Sequence, residues 1–192
     1  LPVKTYTVAD GLLRDYVYKI KQDSQGFLWF CTPGGVSRFD GYAFTNFSTE
    51  DGLPDRHVND FLETRDGAVW MATDGGLAKL NPKGLRNNPE NPLFSVYLPE
   101  NPKAKNILNL LEDTDGQFFA GTSDGLYRVT QMDGRHALEQ VNLGNRLTEL
   151  LEITAVIKDR NDVLWVGTWA NGLLRLLPDG QVEQYNMAHG LS

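Results

Sequence analysis

Short apolar runs alternate with polar turns along the whole chain, and the alternation repeats. The first repeat reads Asp23-Ser-Gln-Gly26-Phe-Leu-Trp29-Phe-Cys-Thr32-Pro-Gly-Gly35-Val. The second runs from Thr64 through Gly67, Trp70 and Thr73 to Gly76-Leu77. The third runs from Asp113 through Gly116, Phe119 and Thr122 to Gly125-Leu126. The fourth runs from Asp159 through Asp162, Trp165 and Thr168 to Gly172-Leu173. The aromatic anchors at 29, 70, 119 and 165 are 41, 49 and 46 residues apart. That is the period of a β-propeller blade and too long for leucine-rich or ankyrin repeats.

Each unit divides into four short strands. In the first unit they are predicted over residues 17–22, 27–32, 36–39 and 44–47, with matching apolar positions at Val58, Ile107 and Ile153 in the later units. Asp, Asn and Gly at the turns tolerate positive φ and suit tight hairpins. The fold class is therefore all-β, with four consecutive four-stranded antiparallel blades forming an open partial propeller. Blades are placed at about residues 13–50, 54–99, 104–144 and 150–187, in a single domain over residues 1–192. Residues 3–12 match residues 44–53, so residues 1–12 are expected to act as an outer closing strand. Residues 188–192 repeat the Gly-Leu opening of a new unit, and the native chain is expected to continue.

The repeated positions have packing explanations. Trp29, Trp70, Phe119 and Trp165 should fill the space between neighbouring blades. Cys31, Ala72, Gly121 and Gly167 form a column of small residues where sheets must approach closely. The threonine one place on caps the second strand. The segment at residues 82–92, rich in Pro and Asn, joins the third and fourth strands of the second unit and predicts an exposed irregular loop.

Composition narrows the function classes. The balance of 18 basic and 25 acidic residues gives a net charge of −7. With no basic run, nucleic acid is not an expected partner. No stretch of 18 apolar residues is present. One cysteine, Cys31, excludes an internal disulfide framework and a Cys-based zinc site. Its strand position and lack of a histidine neighbour in sequence argue against a nucleophile. His57, His136 and His189 form no metalloprotease spacing. The recurring aspartates offer only one or two carboxylates per turn, fewer than a calcium loop needs. The paired glycines join two strands, unlike a phosphate-binding loop. No catalytic residue, metal or cofactor is expected.

Specificity should lie where the units differ. In a propeller, the loop entering each unit and the turn between its second and third strands emerge on one face. Candidate ligand-binding residues there are Arg14, Arg56 and His57 from entry loops and Asp74, Asp124, Trp169 and Asn171 from turns; Glu149 lies in the last entry loop. Trp169 falls off the packing column, in the unit with one extra residue. An exposed indole beside an amide can stack on a sugar ring and bond its hydroxyls.

The pattern Asp-x-x-Gly-x-Leu-Trp-x-x-Thr-x-x-Gly-Leu/Val-x-Arg-Phe-Asp, seen most fully at residues 23–40, resembles the two-component regulator propeller repeats. Departures are Phe119 for Trp, Asp162 for Gly and Tyr127-Arg128-Val129 for Arg-Phe-Asp. The resemblance implies a periplasmic sensory region of a bacterial membrane-bound signalling protein, followed elsewhere on the parent chain by an immunoglobulin-like module, a membrane helix and a histidine kinase. It implies ligand sensing without catalysis in this segment. The implied partners are a small molecule or glycan, further blades and downstream signalling domains, and a second copy in a homodimer. Alternatives are a propeller lyase or hydrolase acting at the channel mouth, and a scaffold propeller with no signalling role.

Overall fold

The computed structural model describes residues 3–86, 88–132, 135–144 and 151–191. Glu149 lies outside them. Among the described residues, sixteen strands form four antiparallel sheets of four, each in sequence order. The first holds β1 (Lys19–Gln22), β2 (Leu28–Thr32), β3 (Gly35–Phe39) and β4 (Phe44–Phe47). The second holds β5 (Val58–Glu63), β6 (Val69–Thr73), β7 (Gly76–Leu80) and β8 (Phe94–Tyr97). The third holds β9 (Ile107–Glu112), β10 (Phe118–Thr122), β11 (Gly125–Met132) and β12 (Arg135–Gln140). The fourth holds β13 (Ile153–Lys158), β14 (Leu164–Thr168), β15 (Leu173–Leu176) and β16 (Val182–Tyr185). These are propeller blades, and none of the sheets is closed. Two compact units divide the chain, at residues 1–96 and 97–192.

The turn between the first two strands explains the repeating aspartate. Asp23 Oδ1 accepts the backbone N–H groups of Gln25 and Phe27, and its Oδ2 accepts the Trp29 indole N–H at 2.7 Å. Asp159 does the same with Asn161, Val163 and Trp165. One carboxylate thus shapes the hairpin and orients the aromatic anchor. Where the other units carry glycine, Asp162 takes φ +61, a left-handed conformation that Asp tolerates better than most residues. Across each hairpin a cation lies over the anchor: Arg38 over Trp29, Lys79 over Trp70, Arg128 over Phe119 and Arg175 over Trp165, at 5.1–5.7 Å from the ring centroid. Each pair is directly opposed in register, which puts cation and ring on one side of the sheet.

In the first unit Trp29 stacks on Phe61 of β5, with centroids 4.7 Å apart, and on Phe47. Cys31, Val58, Met71 and Ala78 complete the same buried cluster. Asp60, 1% exposed, ties the two sheets as well, with Lys19 Nζ at 3.1 Å and Lys21 Nζ at 2.8 Å. In the second unit Phe119, Ile153, Val166 and Leu174 form the core. Asn109 on β9 donates to the Ile153 carbonyl at 2.8 Å. Trp165 departs from expectation. It is half-buried and meets Tyr185 of its own sheet.

The end of the first strand reaches the hairpin of the preceding blade. Glu63 accepts from the backbone N–H and hydroxyl of Ser24. At the equivalent position, Lys158 Nζ meets Asp113 at 3.0 Å, Asp115 at 2.6 Å and Asp162 at 3.3 Å. Burial pushes the Asp113 carboxyl up, but the Lys158 ammonium and the N–H groups of Gln117 and Asp115 outweigh it and hold it below its ordinary value. The Asp115 and Asp113 carboxylates raise Lys158 well above the usual lysine range.

The loop over residues 82–92 is tied to the chain. Arg86 Nε pairs with the buried Asp51 at 2.7 Å, and its Nη2 donates to the carbonyl of Asn46 on edge strand β4. The loop therefore guards part of an exposed strand edge. Residues 3–7 form no strand. Tyr6 packs edge-on against Phe39 and Phe44, and a capped 3-10 turn follows at Val8–Asp10. That turn recurs at Thr49–Asp51 and Met187–His189, each with a reciprocal capping box and a left-handed glycine.

A β-carbon added at Gly121 would lie 2.5 Å from Asn109 Oδ1 and 2.7 Å from Ile153 Cγ2. Gly121→Ala should therefore lower stability by roughly 1–3 kcal/mol, the usual cost of overpacking, measured by urea unfolding. An unchanged midpoint would show that the two sheets part without cost. The lowered Asp113 value means that its stabilisation is present above the ordinary carboxylate pKa and fades as pH falls through the lowered one. Lys158→Met leaves a buried carboxylate without its cation, so its acid-unfolding midpoint should move to higher pH than that of the parent chain in a circular-dichroism titration.

Candidate functional site: entry loops and inner turns

The turn between the second and third strands is built identically in every blade. The Thr32, Thr73, Thr122 and Thr168 hydroxyls donate to the carbonyls of Gly35, Gly76, Gly125 and Gly172 at 2.7–2.9 Å. Each also accepts a backbone N–H from within the turn: Gly34, Gly75, Asp124 and Asn171. The extra residue of the fourth blade is absorbed inside this clamp.

The residue after each threonine then meets the entry loop. Asp74 N–H donates to the His57 carbonyl, Ser123 to Asn106 and Trp169 to Glu152, at 2.9–3.2 Å. The corresponding residue in the first blade is Pro33, which has no N–H. A register shift interrupts β5, β9 and β13 just inside this contact. Such bulges re-aim side chains at the ends of strands. The fold therefore brings together two positions that change from blade to blade: His57 with Asp74, Asn106 with Ser123, and Glu152 with Trp169; their counterparts in the first blade are Tyr16 and Pro33.

In the first unit this gathers several of the residues singled out from the sequence. His57 Nδ1 lies 3.3 Å from Asp55 Oδ1 and 3.7 Å from Asp74 Oδ2. Asn59, the residue at the register shift, donates from Nδ2 to Asp74 Oδ1 at 2.8 Å. Gly75 permits the approach: a β-carbon there would lie 2.6 Å from the Pro54 carbonyl oxygen. Arg56 is exposed beside this group. Arg14 lies over the first blade's turn, its Cγ 2.9 Å from where a β-carbon on Gly34 would sit.

Tyr16 and Tyr18, which the sequence reading passed over, form an edge-to-face pair with centroids 5.1 Å apart and are 65% and 43% exposed. Burial, then the Tyr16 and Asp74 charges, raise the Tyr18 phenol above its ordinary value, while Arg56 opposes them. The signal in sequence was the alternation of aromatic residues at 16 and 18, where later blades carry His57 and Asn59 or Asn106 and Leu108.

In the second unit the candidates are not grouped in this way. Trp169 is 75% exposed. Asn171 is 3% exposed; its backbone N–H is held by Thr168 and its carbonyl accepts from Gln184. It turns into the blade and does not share the surface of the indole. Asp124 is half-buried and accepts from Asn101 Nδ2 at 2.6 Å. A depression of about 380 Å³ near Lys158 is lined by Asp113, Asp115, Arg128 and Asp162, but Lys158 and the carboxylates are already paired with one another there.

Cys31 is 1% exposed, and burial followed by the Asp60 charge pushes its thiol up to about 12, with Lys21 and Lys19 opposing. It should resist alkylation by iodoacetamide at pH 8 and react once urea unfolds the chain; rapid labelling of the folded protein would contradict this placement.

Residues 11–34 and 52–75 match the family described as two component regulator propeller. The fold is similar to that of a protein described as the extracellular domain of a hybrid two-component system from B. thetaiotaomicron, with 21% identity and a TM-score of 0.70 over 94% of this chain and 23% of that one. A second, described as the extracellular domain of a one-component system from the same organism, shows 20% identity and a TM-score of 0.72 over 92% and 26%. Virginiamycin B lyase from Staphylococcus aureus shows 16% identity and a TM-score of 0.62 over 88% and 55%. The chain spans about a quarter of the first two structures and about half of the third. At these identities the likeness is one of fold. No curated protein matches the chain.

Proposed function

We propose, from the match of residues 11–34 and 52–75 to the two component regulator propeller family, that the chain is an extracytoplasmic, non-catalytic sensing module of a bacterial two-component signalling protein. The loop face of its first unit receives the ligand. The observation that carries this reading is the meeting of His57 with Asp55 and Asp74 at that face, next in sequence to the exposed Arg56, together with the exposed Tyr16–Tyr18 pair on the first blade's entry loop. Exposed aromatic rings beside charged and hydrogen-bonding groups suit a sugar or a comparably polar small molecule. Trp169 provides a second aromatic surface in the other unit.

Binding at loops set on rigid blades would favour one arrangement of the parent protein over another, and the module would pass that preference to a signalling domain or to a second copy. The periplasm is the proposed address, by analogy with the extracellular domains whose fold it shares. The propeller lyase among the similar structures shares a fold, and fold alone does not transmit an activity.

Screening the chain against immobilised oligosaccharides tests the reading. Saturable binding is expected, weakened at least tenfold by Tyr18→Ala and by Arg56→Ala. A loss confined to Trp169→Ala would move the site to the second unit. No saturable binding, or binding unaffected by all three substitutions, would overturn the assignment to these loops.

A further inference from the structure

The histidine of the first unit faces two carboxylates from different segments, close enough for all three to share one ion. His57 Nδ1 stands 3.3 Å from Asp55 Oδ1 and 3.7 Å from Asp74 Oδ2, and the three atoms all lie within 4.8 Å of one another. An N–H···O hydrogen bond runs at about 2.7–3.2 Å. Nitrogen and oxygen ligands about 2.0–2.2 Å from a tetrahedral zinc ion lie roughly 3.3–3.6 Å apart. We propose that Asp55, His57 and Asp74 hold one divalent transition-metal ion of the zinc class.

The surroundings suit that role. Asn59 holds Asp74 Oδ1 and leaves Oδ2 toward the imidazole, as partners behind metal ligands commonly do. The Asp55 carboxylate is fixed by the His57 backbone N–H at 2.8 Å. The three side chains are 31–37% exposed, so an ion can enter and keep a coordination position for water or a ligand oxygen. The imidazole selects against calcium and magnesium, which prefer all-oxygen shells. Two carboxylates and one neutral imidazole supply a compensating charge of −2.

The ion would bridge the entry loop and the inner turn, the two positions that vary between blades. The equivalent pairs, Tyr16 with Pro33, Asn106 with Ser123, and Glu152 with Trp169, do not repeat the donor set, so this placement supplies one ion per chain. The inference rests on donor geometry and stands whether or not the same face binds a sugar.

Titrating the chelator-stripped 192-residue chain with zinc chloride in a calorimeter should give saturable uptake of one ion. Affinity should fall at least tenfold in His57→Ala and in Asp74→Asn, and stay unchanged in His136→Ala and His189→Ala. In the parent chain, long-range nitrogen–proton NMR should show Nδ1 of His57 shifting on zinc addition, a readout that needs no variant to fold. Magnesium and calcium should not displace the zinc. No saturable uptake, uptake undiminished in both site variants, or a shift at another histidine in place of His57 would overturn the proposal.

Discussion

Everything in each unit depends on how closely two blades can approach. A four-stranded sheet with large apolar residues on both faces must be covered on both. The cover is an aromatic wedge set beside a column of small residues. Trp29 fills the gap against Phe61, while Gly121 lets Ile153 come so near that one added methyl would collide with it. These two requirements, bulk at one position and its absence two residues later on the same strand, account for the recurring pattern from which the blades were recognised.

Polar side chains are subordinate to that packing, and they make it specific. The Asp23 carboxylate both closes its hairpin and holds the wedge. Asp60 sits between Lys19 and Lys21, and Lys158 among three aspartates, so the seam in each unit has its own ionic pattern. Buried carboxylates without those cations would carry a desolvation penalty of several kcal/mol. A blade is therefore matched to its neighbour by charge as well as by shape.

The scaffold also delivers variable chemistry to one place. The threonine clamp and the backbone bond from turn to entry loop are the same in units whose side chains differ there. Since these contacts use backbone groups and one hydroxyl, they tolerate Asp74, Ser123 or Trp169 equally. That separation between a constant frame and changing side chains is what allows Asp55, His57 and Asp74 to meet without disturbing the fold.

The sequence by itself determined the blades, because bulk, smallness and turn chemistry act over a few residues and recur at a readable period. It also determined that Arg56, His57 and Asp74 would share a face, since strand direction decides which loops emerge together. Only the tertiary structure decided the rest. Asn171 is buried although it sits in the turn with the extra residue, and Trp165 is half-buried against Tyr185 of its own sheet. Tyr16 and Tyr18 pair edge to face in the open, and His57 faces two carboxylates beside the close approach at Gly75. Spacing along a chain places a residue on a face; the direction of its side chain is settled by what packs against it.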